Sequence, residues 1–505
     1  MSNKPNIIIF NVDQWRGDVL GHMGNPAAVT PNIDEIVKND AVSFSNAFCQ
    51  NPVCTPSRCS FMTGWYPHVR GHRTLYHMLH LDKDEPNLLR ILKDNGYFVW
   101  WGGRNDLFSA KEDFRTYCDK YFVPKEEDLK RWGHNWKPNL HSSTEWRGSP
   151  ENDKYYSFFV GKLDTKGDNI YFDYDWAIIF GAIEFIQNYE GNKPVCMYIA
   201  LALPHPPYGI EEPWYTITNR KCLPPRIKTP NNWKDKPSLL KGIYERQHLQ
   251  EWTEERWSEL RATYYGMCSR LDYQFGLLCD ELKKKDYYDD SAIFIFSDHG
   301  DFAGDFGLVE KTQNTFEDCL TRVPFIIKPP KKVGIKPGVS DALVELVDFS
   351  ETVYALANIS PEYTRFGRTL IPLLKGETES HRDAVFSEGG RLYGEKHAME
   401  LESKSALTPE GLYWPRVSLQ ITDDGPYHGK AAMCRTKDYK YIRRLYEKDE
   451  LYDLNKDPGE LNNAIDDPEY NDILLRLKDR MLSWYIETCD VVPFETDWRF
   501  RWRKG

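Results

Sequence analysis

The stretch from Cys54 to Arg58 contains a thiol and a cation that a helix would separate by one turn. Pro56 suits the first turn of such a helix, and Gly64 suits the position after its last turn. Cys54 would then lie at a helix N-terminus, where backbone amides attract negative charge and activate a group derived from cysteine. An ordinary capped helix is the alternative, so this stretch predicts a reactive site only if other reactive groups lie close to it in the fold.

A second set of residues has the types that bind a divalent cation. Asp13, Asp298 and His299 offer two carboxylates and an imidazole, and Gln14 adds an amide oxygen. Hard cations prefer such oxygen ligands and also accept an imidazole. The alternative is that Asp13 forms a turn and that Asp298 and His299 cap a helix.

These groups follow short apolar runs that are typical of strands buried on both faces of a parallel sheet. The four runs, each with the residues that follow it, are Ile7–Phe10 before Asp13, Tyr97–Trp101 before Arg104 and Asp106, Val195–Ala202 before His205, and Ala292–Phe296 before Asp298. In open α/β sheets, ligands bind beyond the carboxyl ends of the strands. We therefore expect these side chains to meet at one edge of a sheet.

Helical stretches alternate with the apolar runs, which predicts an α/β fold with right-handed crossovers. The predicted helices are Ile33–Lys38, Pro86–Lys93 and Trp257–Lys285. Near the C-terminus, short strand-like runs precede a closing helix, and these segments are Ala431–Arg435, Tyr439–Tyr446, Glu450–Leu454 and Glu469–Ile486. We expect a catalytic domain at 1–375 and a smaller antiparallel-sheet-plus-helix subdomain at 376–505.

The amino-acid composition argues against some classes of binding partner. The 65 Lys and Arg residues against 76 Asp and Glu give a formal charge of −11, and no basic run is present, which argues against nucleic acid. No apolar run approaches the roughly 20 residues that cross a bilayer. The 11 cysteines lack framework spacing and no signal-peptide region is visible, so we expect a cytoplasmic protein.

The Cys-x-Pro-Ser-Arg motif at 54–58, followed by Thr63-Gly64, resembles the signature of the sulfatase family, in which the cysteine is oxidised to formylglycine. Further segments similar to sulfatases occur in the same order along nearly the whole chain, and they are Asn6–Asp13, Thr30–Asp34, Tyr66–His68, Pro204–Pro206, Ser297–Gly300, Lys311 and Leu451–Glu460. The resemblance implies an alkaline-phosphatase-like fold, with a large, mostly parallel sheet flanked by helices. It also implies a sulfuric ester hydrolase and a partner enzyme that generates formylglycine.

The resemblance implies a cation site of five residues, with calcium as the expected ion and magnesium or manganese as alternatives. Its ligands would be Asp13, Gln14, residue 54 as formylglycine, Asp298 and His299. One hydroxyl of the hydrated aldehyde would attack sulfur, and deprotonation of the other would expel sulfate.

The resemblance also assigns catalytic roles to three residues. Arg58 and Lys311 would contact the sulfate, and His205 would protonate the leaving group, because an imidazole titrates near neutral pH. The alternatives are a structural histidine in a proline-rich turn for His205 and a solvated surface position for Lys311.

Two positions depart from the common sulfatase pattern. Gly103-Arg104-Asn105-Asp106 stands where many sulfatases have Gly-Lys-Trp-His. Arg104 can contact sulfate through its planar fork, whereas Asp106 could be the base for the hemiacetal hydroxyl or could orient Arg104. The Asp13-Gln14 pair replaces the commoner Asp-Asp, and this form resembles a branch with choline sulfatases, phosphonate monoester hydrolases and some carbohydrate sulfatases.

The leading hypothesis is hydrolysis of a sulfate monoester on a carbohydrate, such as a glycosaminoglycan fragment, or on an aryl alcohol. The irregular stretches 120–170 and 206–255 are expected to surround the site and contain tryptophans that could stack on sugars, namely Trp132, Trp136, Trp146, Trp214 and Trp233. His72, Arg73 and Thr74 are further pocket candidates. The alternatives are a phosphonate monoester or phosphodiester hydrolase that uses the same site and, more remotely, an unmatured protein that binds sulfated ligands without cleaving them.

Overall fold

The computed structural model describes residues 4–80, 85–141, 145–401, 407–421 and 425–492. The strands within these residues are β1 (Asn6–Asp13), β2 (Val42–Phe48), β3 (Phe98–Gly103), β4 (Lys120–Phe122), β5 (Phe159–Lys162), β6 (Val195–Pro204), β7 (Tyr208–Ile210), β8 (Ser291–Ser297), β9 (Phe325–Lys328), β10 (Gly338–Glu345), β11 (Val385–Gly389), β12 (Ala431–Arg435), β13 (Tyr439–Arg444) and β14 (Glu450–Asp453). The α-helices are α1 (Pro31–Asn39), α2 (Cys54–Thr63), α3 (Pro67–Arg70), α4 (Leu88–Asp94), α5 (Glu126–Trp132), α6 (Tyr174–Asn188), α7 (Trp214–Ile217), α8 (Ser238–Gln247), α9 (Glu254–Lys284), α10 (Asp318–Thr321), α11 (Val347–Ala357), α12 (Ile371–Leu374), α13 (Trp414–Ile421) and α14 (Asn471–Thr488).

A large sheet of 8 strands has the order β10-β2-β9-β8-β1-β6-β3-β4. Strand β9 runs antiparallel to both of its neighbours, and the other neighbouring strands are parallel. The expected large, mostly parallel sheet is confirmed.

Helices cover both faces of this sheet, which explains the unbroken apolar runs. Ile8 and Phe10 of β1 pack in one hydrophobic cluster with α6 and α9. Ile7 and Ile9 pack in a second cluster with α2, α4 and α11. Because successive side chains of a strand point to opposite faces, a strand between two helical layers needs apolar residues at every position.

The four strands that the sequence linked to polar groups are direct neighbours in the order β8-β1-β6-β3, and all of them are parallel. Their carboxyl ends therefore share one edge of the sheet, near its centre. The expectation that one edge collects the reactive groups is confirmed at the level of the backbone.

Helix α4 begins later than the sequence suggested. We expected the helix to open at Pro86, but it begins at Leu88, after Asn87. The side-chain oxygen of Asn87 accepts hydrogen bonds from the backbone N–H groups of Leu89 and Arg90, at 2.8 and 3.2 Å. Asn87 is therefore the N-cap, a position that asparagine favours.

A second sheet near the C-terminus is antiparallel, in the order β11-β12-β13-β14. Helix α14 packs against it, and the ring of Phe386 stacks on Trp484 with centroids 4.5 Å apart. The expected antiparallel-sheet-plus-helix unit is confirmed, whereas the boundary between 375 and 376 stays a prediction. None of the described helices combines the length and apolar character needed to span a bilayer.

Candidate active site

Cys54 is the first residue of α2, and its side chain is buried. Val53 precedes it in an extended conformation, and Gly64 ends the helix in the left-handed region with φ 73°. The Sγ atom of Cys54 lies 3.3 Å from Nε2 of His299 and 3.6 Å from Oδ1 of Asp13. Burial, together with the charge of Asp13, raises the pKa of the Cys54 thiol well above its usual value.

Three acceptor atoms converge beside this sulfur. Nε2 of His299 lies 3.7 Å from Oδ1 of Asp13 and 3.7 Å from Oδ1 of Asp298. Nδ1 of His299 interacts with the backbone oxygen of Gly300 at 2.9 Å, which assigns the proton to Nδ1 and a lone pair to Nε2. Asp13, Cys54, Asp298 and His299 thus form a buried cluster in which the potential ligand atoms lie within 4.8 Å of one another.

Gln14, the fifth predicted ligand, is adjacent to this cluster. Its backbone adopts φ 76°, a left-handed conformation that is uncommon for a residue with a side chain. The backbone N–H donates to Oδ1 of Asp298 at 3.1 Å, and the backbone oxygen accepts from the hydroxyl of Tyr264 at 2.7 Å. Its amide oxygen accepts a hydrogen bond from Nζ of Lys311 at 2.7 Å. The ligand role of Gln14 stays a prediction.

Arg58 connects the two carboxylates of the cluster. Its Nη2 donates to Oδ2 of Asp13 and its Nε donates to Oδ2 of Asp298, both at 2.9 Å. Each carboxylate thus gives one oxygen to Arg58, while its Oδ1 faces the other ligand atoms. Burial would raise the pKa of Asp13, but Arg104, His205, Lys311 and Arg58 together hold it well below its usual value.

Arg104, which follows the end of β3, reaches the carboxylate of Asp13. Gly103 makes this approach possible, because its φ is 111° and a Cβ there would lie 1.9 Å from the backbone oxygen of Ala200. Asp106 lies 3.3 Å from Nε of Arg104 and 3.8 Å from Nε of Arg58. This placement between two guanidinium groups favours the orienting role for Asp106 over the role of base.

Lys311 is buried and points toward the cluster from the loop after β8. Besides its bond to Gln14, its Nζ lies 3.3 Å from a carboxylate oxygen of Glu310. Burial would lower the pKa of Lys311, but Cys54, Glu310 and Asp13 raise it, so the ammonium is charged. The surface alternative for Lys311 is therefore wrong.

His205 follows the end of β6 and is also buried. Its Nδ1 lies 2.7 Å from the backbone oxygen of Pro206, so Nδ1 carries a proton and Nε2 is left to exchange one. Burial and the nearby Lys311 lower the pKa of His205 well below its usual value. The ring is neutral until a proton is added to Nε2, and its role as acid stays a prediction.

A cavity of about 780 Å³ opens beside Cys54, and Arg104, Asp106, His205 and Lys311 line it as well. Of the five tryptophans proposed for stacking on sugars, all of which are described, Trp136 alone lines this cavity. Trp214 and Trp233 are buried in hydrophobic clusters, and Trp132 and Trp146 pack against one of these clusters. The proposed stacking role is therefore wrong for those four, because their rings pack within or against the core and do not line the cavity.

The candidates His72, Arg73 and Thr74 do not line the cavity. Nε2 of His72 lies 2.9 Å from Oε1 of Glu85, and Arg73 forms an ion pair with Glu395 at 2.7 Å. The suggested pocket role of these residues is therefore wrong, and two of them have structural partners instead.

The sequence did not single out several residues of the cavity wall. They are Tyr76, His141, Tyr171, Tyr174, Tyr413 and Arg416. These residues come from irregular connections and helix starts, where no motif marks them. The general expectation that 120–170 surrounds the site would have pointed to His141 alone.

The C-terminal sheet holds the loop that carries Lys311. Asn314 donates to the backbone oxygen of Gly429 at 2.9 Å, and its own backbone oxygen accepts from Arg444 at 2.9 Å. Nζ of Lys440 donates to the backbone oxygen of Phe316 at 2.7 Å. Backbone oxygens of the loop are thus satisfied by side chains of β13, which fixes its path.

Known proteins are similar to this chain over most of its length. An ulvan-active sulfatase from Formosa agariphila is 26% identical over 471 residues, which cover 92% of this chain and 78% of the relative. A choline-sulfatase from Rhizobium meliloti is 26% identical over 522 residues, with 99% and 91% coverage. A phosphonate monoester hydrolase from Agrobacterium radiobacter shares the fold, with a TM-score of 0.74, 22% identity and 96% coverage of both chains.

Two family models match the sequence. One, described as N-sulphoglucosamine sulphohydrolase, C-terminal, matches residues 428–486, which contain β12 to β14 and most of α14. The other, described as Sulfatase, matches residues 5–359. This second range includes all 8 strands of the large sheet and every candidate site residue from Asp13 to Lys311. By that match the chain belongs to the sulfatase family and is a hydrolase of sulfate esters.

Proposed function

We propose that the protein hydrolyses sulfate monoesters of a carbohydrate, or of an aryl alcohol, with residue 54 as formylglycine and a calcium ion beside it. One observation carries this proposal. Oδ1 of Asp13, Oδ1 of Asp298 and Nε2 of His299 converge on Sγ of Cys54 in the wall of a cavity that also presents Arg104 and Lys311.

The donor set fits a divalent cation. Acceptor atoms of two carboxylates and one imidazole face one another in a buried site, an arrangement that a positive ion would stabilise. Asp13, Asp298 and His299 would hold the ion, with Gln14 and the oxygen of formylglycine at position 54 as further ligands. The bound ion would supply positive charge that favours the ionised form of a hydroxyl at residue 54.

Residues of the chain would supply the nucleophile, the sulfate contacts and the proton transfer. Hydrated formylglycine supplies a hydroxyl nucleophile in place of the thiol of Cys54. Arg58 holds both carboxylates of the cluster in place through its two hydrogen bonds. Arg104 and Lys311 present positive charge to the cavity, where they would bind the oxygens of the sulfate. His205 would exchange a proton with the leaving group through Nε2.

The cavity wall supports a ring-shaped alcohol as the rest of the substrate. Trp136, Tyr171, Tyr174 and Tyr413 line it beyond the cationic groups, and its volume of about 780 Å³ is large enough for a sugar or an aryl group. The names of two relatives, an ulvan-active sulfatase and a choline-sulfatase, show that similar chains act on different alcohols. We therefore propose the ester class and leave the individual sugar to a substrate screen.

A paired assay tests the proposal. Protein produced together with a formylglycine-generating enzyme is assayed for kcat/KM with 4-nitrophenyl sulfate and with a phenyl phosphonate monoester, and the peptide that contains residue 54 is weighed to confirm conversion. We expect the sulfate ester to be preferred. A phosphonate preference of about 10³ or more, several kcal/mol of transition-state discrimination, would instead support the phosphonate alternative. Cys54 that stays unconverted in the presence of the formylglycine-generating enzyme would support the alternative of an unmatured, non-catalytic binder.

The maturation enzyme as a partner follows from the proposed formylglycine, and the mass of the residue 54 peptide tests both together. The cytoplasmic location expected from the sequence stays a prediction.

A further inference from the structure

The irregular segment that follows α5 brings a second histidine into the cavity. The backbone N–H of Lys137 donates to the oxygen of Phe172 at 3.0 Å, and the oxygen of Pro138 accepts from the hydroxyl of Tyr171 at 2.7 Å. These bonds to the segment before α6 fix the path of the chain toward His141, whose ring enters the cavity wall.

Two further bonds fix the end of this segment. The backbone N–H of His141 donates to Oδ1 of Asn139 at 2.9 Å, and Nε1 of Trp146 donates to the oxygen of Leu140 at 3.1 Å. His141 is thus placed at the cavity by hydrogen bonds at its own backbone N–H and at the carbonyl of the preceding residue.

The rings of His141 and His205 are neighbours. Their centroids lie 5.4 Å apart with an angle of 51° between the planes, and both rings line the cavity with Cys54 and Lys311. Because Nδ1 of His205 is bonded to the oxygen of Pro206, only Nε2 of that ring can gain or lose a proton during a reaction. Because the imidazole of His141 lines the same cavity beside His205, the two rings can share one proton.

The charges around the two rings make this sharing dependent on substrate. Desolvation by the cavity wall, together with the charges of Arg104 and Lys311, lowers the pKa of His141 to about 4, while Asp13 opposes them. The pKa of His205 is lowered by burial, Lys311, Arg104 and also by His141, while Asp13 opposes. A sulfate bound by Arg104 and Lys311 would offset these positive charges and favour addition of a proton. Two adjacent imidazolium rings would repel each other, so the pair holds one added proton.

Asp106 does not compete for this role. It lies 3.3 Å from Nε of Arg104 and 3.8 Å from Nε of Arg58, so its charge is engaged by the two guanidinium groups. The position where many sulfatases have a histidine therefore contributes no imidazole here. His141 brings an imidazole to the same cavity from a different part of the chain.

We propose that His141 is a second catalytic imidazole, which shares one proton with His205 and delivers it to the oxygen of the departing alcohol. When the bond between sulfur and this oxygen breaks, the electron pair stays on oxygen, and the oxygen takes the proton from the imidazolium. The neutral pair then regains a proton from water at the open end of the cavity, where His141 is exposed. This inference rests on the proposed function, because it needs an ester bound beside residue 54.

The first test compares leaving groups. His141→Gln and His205→Gln, each with residue 54 fully converted, are assayed with a series of aryl sulfates of rising phenol pKa and with an alkyl sulfate. His397→Gln is the matched control, because the side chain of His397 is 77% exposed and outside the cavity. We expect His141→Gln to lose little on 4-nitrophenyl sulfate and about 10²-fold on the alkyl ester, the lower range for general acid catalysis. An equal loss for every leaving group, or no loss at all, overturns the inference.

The second test does not depend on turnover. Cys54→Ala protein is titrated with inorganic sulfate and with 4-nitrophenyl sulfate while the imidazole signals are followed by NMR, with assignments from the histidine variants. We expect the signals of His141 and His205 to shift together and their titration midpoints to rise, and the signal of His397 to stay unchanged. Movement of His205 without His141 contradicts the inference.

The two tests separate the inference from the proposed function. Matured wild-type protein that cleaves 4-nitrophenyl sulfate, with an unchanged leaving-group dependence in His141→Gln, overturns the inference alone. Matured protein that cleaves no ester overturns the proposed function, whether or not the His141 signal responds to sulfate.

Discussion

Arg104 donates from Nη1 to Oδ2 of Asp13 at 2.9 Å. The residue that replaces the lysine of many sulfatases therefore touches a predicted cation ligand and also lines the substrate cavity. Arg58 donates to the same oxygen of Asp13, so two guanidinium groups share one carboxylate. The predicted cation site and the proposed sulfate site are consequently linked through Asp13.

Replacing Arg104 by lysine tests this link. A single ammonium cannot contact Asp13, Asp106 and a sulfate oxygen with the geometry of a planar guanidinium. We expect Arg104→Lys to lower kcat/KM by about tenfold, close to 1.4 kcal/mol, and Arg104→Gln to lower it further. Arg115→Lys, an exposed arginine paired with Asp113, is the control. Wild-type activity in Arg104→Lys would show that the contact with the carboxylate of Asp13 does not require a planar guanidinium group.

Asp106→Asn tests whether Asp106 orients Arg104 and Arg58, as its placement favours, or acts as the base. If Asp106 orients Arg104 and Arg58, the amide keeps part of the contact, and we expect a rise in KM of about tenfold with little change in kcat, near 1.4 kcal/mol of binding. If Asp106 is the base, kcat should instead fall by about 10² or more. Steady-state kinetics at several pH values separate the two results.

Changes at Cys54 should remove chemistry without removing the fold. Cys54→Ala leaves no precursor for formylglycine, and Cys54→Ser keeps a hydroxyl but not the hydrated aldehyde. We expect neither variant to complete repeated turnovers of 4-nitrophenyl sulfate, and both to unfold within a few degrees of the wild type, because the change in buried volume is small. Repeated turnover by either variant contradicts the role of residue 54.

Removing divalent cations should affect both activity and stability. Chelation should abolish turnover, and added calcium should raise the free energy of unfolding by about 3 kcal/mol at 100 times its Kd. Asp298→Asn removes one carboxylate of the cluster and should suppress this stabilisation. Thermal unfolding with calcium, magnesium and manganese measures the effect and ranks the ions. An equal shift of wild type and Asp298→Asn would place the stabilising ion elsewhere.

The buried His428 predicts a specific pH dependence of stability. Burial, with Arg416 and Arg391, lowers its pKa from 6.5 to about 3. Between these values the unfolded chain binds a proton that the folded protein does not, so the free energy of unfolding falls as the pH is lowered, by up to about 1.4 kcal/mol per pH unit. We expect His428→Asn to lose about 2 kcal/mol less than the wild type between pH 6.5 and 4.5.

Urea unfolding at the two pH values measures this difference. His397→Asn, at an exposed position, should keep the wild-type dependence. Equal pH slopes for His428→Asn and the wild type would contradict the predicted charge state of the buried ring.

The sequence was sufficient for the parts of the site that lie on regular elements. Asp13 ends a strand, Asp298 and His205 follow strands, and the apolar runs of all three strands are unambiguous. Cys54 lies at a helix start marked by proline. Since parallel strands end at one edge, these groups could be brought together without any knowledge of distances. The apolar runs and the alternating helices predicted the α/β fold, and the short strand-like runs near the C-terminus predicted the separate antiparallel sheet.

The irregular connections could not be predicted in the same way. A tryptophan in a loop can face the cavity, as Trp136 does, or fill the core, as Trp214 and Trp233 do, and periodicity does not separate these cases. His141, in an irregular segment, and Arg416, in the first turn of α13, reach the cavity through tertiary packing, which leaves no pattern in the local sequence. The specificity of the site is therefore the part that sequence describes least.

The attachment of the Lys311 loop to β13 affects how the substrate specificity of this enzyme can change. Arg444 and Lys440 hold the backbone of that loop, and the connection after β11 supplies Tyr413 and Arg416 to the cavity. The large sheet positions Asp13, His205 and Asp298 beside residue 54, whereas part of the cavity wall depends on the small sheet. Exchange of the C-terminal unit between relatives would thus alter which alcohol fits, and would also shift Lys311, the residue proposed to bind the sulfate.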